Sequence, residues 1–156
     1  FTRTANVYGP YQQIYRIVPK TLLFSRLNKK INLHGGGTSK RSFIYIDDAS
    51  DATYKISLSG KTGDTYHIST EKIITIKNLV KKISHITKKN LSDLALISKD
   101  RIGKDYSYHL NIKKIKKELN WEAKVDLNSG LLKTLSWIDK NLNILKKEKF
   151  QYIHKK

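Results

Sequence analysis

Apolar positions along this chain follow two rhythms, short β-branched runs and longer stripes at helical spacing. Residues 1–8 (FTRTANVY) are rich in β-branched and aromatic types and stop at Gly9-Pro10, which predicts a strand followed by a turn. Ile14, Ile17, Val18, Leu22, Leu23 and Leu27 mark a helical stripe; Pro19 sits inside it, so the helix proper is expected after Val18. A strand at 31–34 runs into Gly35-Gly36-Gly37, and a second is expected over 42–46. Asp47-Asp48 can cap a helix that reaches about residue 58, with Ala49, Ala52 and Ile56 inward, and Gly60 to Gly63 close it before a strand at 65–68. The clearest amphipathic helix covers 75–87, where Ile76, Leu79, Val80, Ile83 and Ile86 share a stripe and Thr75 is the expected N-cap. Residues 90–108 show no regular pattern. A short helix within 111–120 and a long one from 126 to about 147 follow, the latter burying Leu127, Leu131, Leu132, Leu135, Ile138, Leu142 and Leu145.

This alternation predicts a single α/β domain over residues 1–156. The strands are few and short for the helices present, so residues 1–8 are expected to lean on a parallel sheet that this chain does not contain. The chain opens on Phe1 in mid-strand, which reads as a fragment entered partway through a sheet.

Composition removes whole classes. With 38% hydrophobic and 10% aromatic residues the chain is too apolar for disorder by charge. No stretch approaches the ~18 to 20 apolar residues that span a bilayer. There is no cysteine, hence no disulfide and no thiolate metal site, and no signal-peptide pattern, so a cytoplasmic location is expected. The formal charge of +18 invites a nucleic-acid or polyanion partner. Its make-up argues otherwise: 26 of the 31 basic residues are Lys and five are Arg, the reverse of what bidentate phosphate and base recognition favours. Lys113, Lys114, Lys116 and Lys117 fall outside the stripe Ile112, Ile115 and Leu119, as a solvated face would. A nucleic-acid module remains the competing reading from a different class.

Taken singly, the candidate chemical motifs are weak. None of His34, His67, His85, His109 and His154 pairs with another at metal-ligand spacing, and no metal is expected. The triple glycine lacks the Lys-Ser/Thr ending of a phosphate loop and is readable as a plain turn. Order is more specific. Thr4-Ala5-Asn6-Val7-Tyr8-Gly9-Pro10-Tyr11, Ile17-Val18-Pro19, His34-Gly35-Gly36-Gly37, Arg41-Ser42-Phe43-Ile44-Tyr45-Ile46-Asp47-Asp48 and Gly63-Asp64-Thr65-Tyr66-His67-Ile68 follow one another. Asp100-Arg101-Ile102-Gly103-Lys104-Asp105, Leu119-Asn120-Trp121 and Gly130-Leu131 come after them. The set resembles the C-terminal half of the extended short-chain dehydrogenase/reductase enzymes that act on nucleotide sugars, with the dTDP-glucose 4,6-dehydratase family nearest.

That resemblance implies a Rossmann-type α/β enzyme whose C-terminal, substrate-binding portion is this chain. It implies that Asn6 hydrogen-bonds the substrate's diphosphate region, and that Arg41 and Arg101 bind the diphosphate, for which a guanidinium fork is suited. Arg16 and Ile17 would line the nucleotide pocket, and Asn32 and His34 would flank the base, although His34 is also readable as an ordinary strand-end histidine. Lys104 closes the Asp-Arg-x-Gly-x segment, and Tyr152 lies in a tail that would fold over the substrate. His67 stands where the family often has the Asn of Asn-Ile-Gly-Gly, which puts the identity of the sugar in doubt and leaves epimerases and decarboxylases open. The parent enzyme, expected to be a homodimer, would use NAD to oxidise the sugar at C4, lose water across C5 and C6, and return hydride to C6. Its NAD fingerprint and Tyr-x-x-x-Lys pair belong to the N-terminal half and are absent here, so this stretch is expected to hold no catalytic residue and to be inactive alone.

Overall fold

The computed structural model describes residues 1–100, 102, 103 and 105–152. The opening segment forms two strands instead of one, β1 (Thr2–Thr4) and β2 (Asn6–Tyr8), divided at Ala5. The division is a change of partner: the Ala5 amide donates to the Ile68 carbonyl at 2.9 Å and the next amide, of Asn6, to the Ser42 carbonyl at 3.3 Å. Helix α1 (Ile17–Leu27) starts two residues before the expected point. Pro19 falls in its first turn, where its missing N–H costs no intrahelical bond. The chain continues through β3 (Ile31–His34) into a 3-10 turn at Gly35–Gly37. The strand expected at 42–46 is the shorter β5 (Phe43–Tyr45), and a separate β4 (Lys40–Arg41) precedes it across Ser42.

Helix α2 (Ile46–Ser59) follows without a break, with Tyr45 at the N-cap position. Asp47 and Asp48 therefore lie in its first turn and do not cap it; negative charge still suits that end of the helix dipole. Next come β6 (Tyr66–Ile68), β7 (Ile74–Thr75) and α3 (Ile76–Ile86), whose cap is Thr75, accepting from the Asn78 amide at 3.1 Å. The region without pattern holds α4 (Leu91–Leu94), β8 (Ala95–Ser98) and β9 (Ser107–Tyr108). In β8 the consecutive Leu96 and Ile97 are 51% and 78% exposed, so no inside–outside alternation marks it as a strand. Helices α5 (Lys113–Leu119) and α6 (Leu127–Leu145) complete the fold, α6 capped by Asp126, which accepts from the amides of Asn128 and Ser129 at 2.9 and 3.2 Å.

Parallel pairing dominates: β1 with β6, β2 with β5, β3 with β8 and β4 with β9, while β4 and β7 are antiparallel. Alternation along β5 divides the core in two. Phe43 and Tyr45 enter the larger cluster with Leu22, Leu79, Ile83, Leu131 and Ile138 from α1, α3 and α6. Ile44 enters the smaller one with Ala52, Ile68, Ile115 and Trp121. Arg26 and Asp139 make a two-pronged ion pair at 2.7 and 2.9 Å that ties α1 to α6. At Gly130 helix α6 crosses the Tyr8 and Tyr45 rings so closely that an added Cβ would collide with the Tyr8 hydroxyl. Burial pushes that hydroxyl's pKa well above its ordinary value, helped by the nearby Asp126, Tyr45 and Asp48, so Tyr8 stays neutral under the helix.

Candidate nucleotide-binding cavity

Five residues singled out from the sequence converge on one cavity of about 240 Å³: Asn6, Ile17, Asn32, His34 and Arg41, joined by Gly37, Ser39, Phe43 and Ile76. The elements explain the convergence. Asn6 opens β2, Ile17 opens α1, and the two-residue period of β3 sends Ile31 and Leu33 into the core and leaves Asn32 and His34 toward the cavity. Arg41 lies on β4, between β7 and β9.

The Asn6 amide nitrogen donates one hydrogen to the Ser42 carbonyl at 3.0 Å, which aims the side chain and leaves its second N–H and its oxygen for another partner. The Arg41 guanidinium donates to two backbone carbonyls, of Lys40 at 2.7 Å and of Asp105 at 2.8 Å. These acceptors orient the fork without neutralising it, and among the described residues Arg41 makes no ion pair. A positive charge held in place and lacking a carboxylate is suited to an incoming anion. The His34 Nδ1 lies 3.0 Å from the Ser98 hydroxyl and 3.3 Å from the Lys99 carbonyl. The ring is thereby tied to β8, with its orientation set by that strand.

The triple glycine does more than turn the chain. All three residues have positive φ, and a Cβ on Gly35 would collide with the Asp100 carboxylate, while one on Gly37 would lie 2.9 Å from the Lys77 amide nitrogen. The turn is thus wedged between the Asp100 side chain and the start of α3, and positions the cavity floor.

Arg16 and Tyr152 meet elsewhere. Arg16 is at the N-cap position of α1 with its guanidinium 5.4 Å from the Tyr15 ring centre, and Tyr15 packs edge-on against Tyr152 at 5.3 Å. The tail therefore returns to the α1 end that supplies Ile17, although neither residue lines the cavity. His67 sits on β6, in register with Arg3 of β1, and does not line it either. Arg101 and Lys104 lie outside the described residues. Four wall residues were missed by sequence reasoning. Gly37, Ser39 and Phe43 sit in or beside quoted motifs, whereas Ile76 carries only the signal of a core position.

A wider groove of about 720 Å³ between residues 69–74 and 122–128 mixes Glu71, Lys72, Lys82, Glu122, Lys124 and Asp126 and holds none of the expected site residues. No group of His, Asp and Glu among the described residues could hold a metal ion, and no helix there is long and apolar enough to cross a membrane.

The family model and the solved structures that this chain resembles place it in a class, the Rossmann-type NAD-dependent epimerase/dehydratases. Within it, the chain belongs to the GDP-mannose 4,6 dehydratase family, whose model matches residues 1–134. It is 31% identical over 147 residues to a mouse dTDP-D-glucose 4,6-dehydratase, covering 91% of this chain and 41% of that protein. Among solved structures, a dTDP-glucose 4,6-dehydratase from Streptomyces venezuelae with NAD and TYD bound superposes with TM-score 0.87 and 27% identity, over 91% of this chain and 44% of that one. The UDP-glucose 4-epimerase of Thermotoga maritima with UDP-glucose gives TM-score 0.85 and 28% identity, over 90% and 46%. The chain spans less than half the length of these relatives. The glycine turn leads into the two-residue β4 and opens no helix, so it is not the turn that presents a helix N-terminus to a dinucleotide pyrophosphate.

Proposed function

We propose that this chain supplies the grip on the nucleotide diphosphate in an NAD-dependent nucleotide-sugar dehydratase or epimerase, most closely of the dTDP-glucose 4,6-dehydratase kind. The observation that carries the reading is the uncompensated Arg41 fork in the same cavity wall as Asn6, Asn32 and His34. A cavity of about 240 Å³ is smaller than the roughly 300–1,000 Å³ typical of drug-sized ligands, which suits the nucleotide end of the ligand with the sugar projecting beyond. Arg41, with Arg101, binds the diphosphate; Asn6 donates its remaining N–H; Asn32 and His34 border the base; Arg16, His67 and Tyr152, outside the cavity wall itself, and Lys104 are assigned to the substrate on the family resemblance.

NAD is held by the portion of such an enzyme that these residues do not represent, and the Tyr-x-x-x-Lys pair with it. The chemical contribution here is positioning: anchoring the nucleotide fixes where the sugar lies, an effect that reaches on the order of 7 to 11 kcal/mol at best. A homodimeric, cytoplasmic parent enzyme accords with this reading. The likeness to a UDP-glucose 4-epimerase supports a second member of the same class, a UDP-sugar epimerase, which a preference for UDP over dTDP would favour.

Calorimetric titration with dTDP and UDP tests the proposal. Saturable binding is expected, weakened about a hundredfold in Arg41→Ala, because a hydrogen-bonded charge pair contributes on the order of 1.5 to 3 kcal/mol. Absence of saturation at millimolar nucleotide would overturn it. So would salt-dependent binding to random-sequence DNA that neither dTDP nor the Arg41→Ala, Arg101→Ala double variant disturbs.

A further inference from the structure

We propose that the Ser39 hydroxyl is a ligand-binding group that donates a hydrogen bond to a phosphate oxygen of the nucleoside diphosphate held by Arg41. The inference rests on the nucleotide-binding reading above. Ser39 is 3% exposed and lines the cavity, yet its Oγ has no hydrogen-bond partner among the described residues. The seven other buried Ser and Thr side chains are all paired; Thr21 donates to the Ile17 carbonyl at 2.6 Å, for example, and Thr134 to the Gly130 carbonyl at 2.7 Å. Most of those bonds return to a carbonyl one helical turn back. Ser39 lies between a turn and a strand, where no such carbonyl is available. A buried hydroxyl left unpaired costs stability that no contact within the fold offsets, and such groups call for a physical reason.

The backbone around it is already committed. The Ser39 carbonyl accepts from the Ile76 amide at 3.0 Å, and the next amide, of Lys40, donates to the Tyr106 carbonyl at 2.8 Å. The side chain is thus held beside the cavity by bonds that do not involve it. Two residues along an extended segment place side chains on the same side, and Ser39 and Arg41 are two apart and both in the wall. Arg41 is the only Lys or Arg among the described lining residues, so it draws the anionic part of a ligand to this corner. A serine there adds a neutral donor that reaches a phosphate oxygen after rotation between staggered positions about Cα–Cβ.

The test is Ser39→Ala, titrated with dTDP and UDP beside the unchanged protein and Arg41→Ala, with thermal midpoints recorded for each. Loss of a hydrogen bond to a charged acceptor is expected to weaken nucleotide binding about ten- to a hundredfold, while the midpoint holds or rises because an unpaired buried hydroxyl has gone. Affinity within twofold of the unchanged protein, with Arg41→Ala still weakened, would overturn the Ser39 role and leave the nucleotide reading standing. A lowered midpoint together with weaker binding would mark the hydroxyl as a support of the fold and also overturn it. If the unchanged protein binds neither nucleotide, both readings fail.

Discussion

Two charged side chains only seven positions apart, Arg41 and Asp48, lead opposite lives. Asp48 is 5% exposed, and its two carboxylate oxygens accept from the backbone amides of Lys124 and Val125 at 3.1 and 2.9 Å. Nearby, the Trp121 indole donates to Asp51 at 2.9 Å and the Tyr66 hydroxyl to Glu118 at 2.8 Å. Every polar group named in that region has a partner supplied by the fold. In the cavity region Arg41 is steered by neutral carbonyls and keeps its charge, and Ser39 is buried and unpaired. A fold that only had to be stable would use the pattern around Asp48 throughout, since a buried polar group is costly until it is matched. Between Asp48 and Ser39 the contrast is of polar burial matched within the fold against polar burial left open beside the Arg41 cavity.

The comparison breaks most visibly at Asp48. Asp48→Ala leaves two part-buried amides without their acceptor, so a loss of about 2 to 6 kcal/mol is expected in urea unfolding, from about 1 to 3 kcal/mol for each unsatisfied group. Arg41→Ala is expected to do the reverse, weakening nucleotide binding about a hundredfold while shifting the unfolding midpoint little, since its two bonds end on exposed backbone carbonyls. If the Arg41 variant unfolds as easily as the Asp48 variant, the division between the two regions is wrong. Gly130→Ala probes the support beneath both: the new methyl meets the Tyr8 hydroxyl and lies 3.0 Å from the Tyr45 ring, and overpacking of this kind costs about 1 to 3 kcal/mol. Thermal unfolding reads it, and an unchanged midpoint would show that α6 can lift off the two rings without loss.

Legibility in the sequence divides along the same line. Helices α3 and α6 are visible because a single face of each is buried, and Thr75 could be named as a cap from its place before the stripe. Asp47 and Asp48 suggest a cap from the sequence because two acids precede a helical pattern. The chain instead enters α2 straight from β5, and Asp48 spends its carboxylate on amides 76 and 77 residues away, a partnership with no local signature. Strand β8 escaped notice because its hydrophobic residues are exposed and do not alternate. Five cavity residues were legible, yet only through the order of motifs along the chain. Asn6, Asn32 and Arg41 come from three different strands, and no spacing rule brings them together. Ser39 and Ile76 could not be found that way, because a serine after a glycine turn and an isoleucine at a helix start look like ordinary structure.

Asp126 separates pairing from burial. Its carboxylate accepts from the Ser129 hydroxyl and from the Ser129 and Asn128 amides at the start of α6, but unlike Asp48 it is open to solvent. The Ser129 hydroxyl first and the Ser129 amide next hold its pKa below the ordinary aspartate range, against an opposing effect of desolvation and with lesser help from the Asn128 amide and the charge of Lys72. With the folded value depressed, the unfolded chain binds the proton more readily, so stability from this group is fully present above the ordinary aspartate pKa of about 4. It is lost as pH falls through the lower, folded value. Asp126→Asn keeps a good N-cap and removes the titration. Urea midpoints measured from pH 7 down to pH 3 are expected to fall less steeply in the variant than in the unchanged protein, with the two curves closing toward the acid end. Parallel curves would mean that the cap bonds at α6 are indifferent to charge, and that pairing at an exposed site contributes only shape.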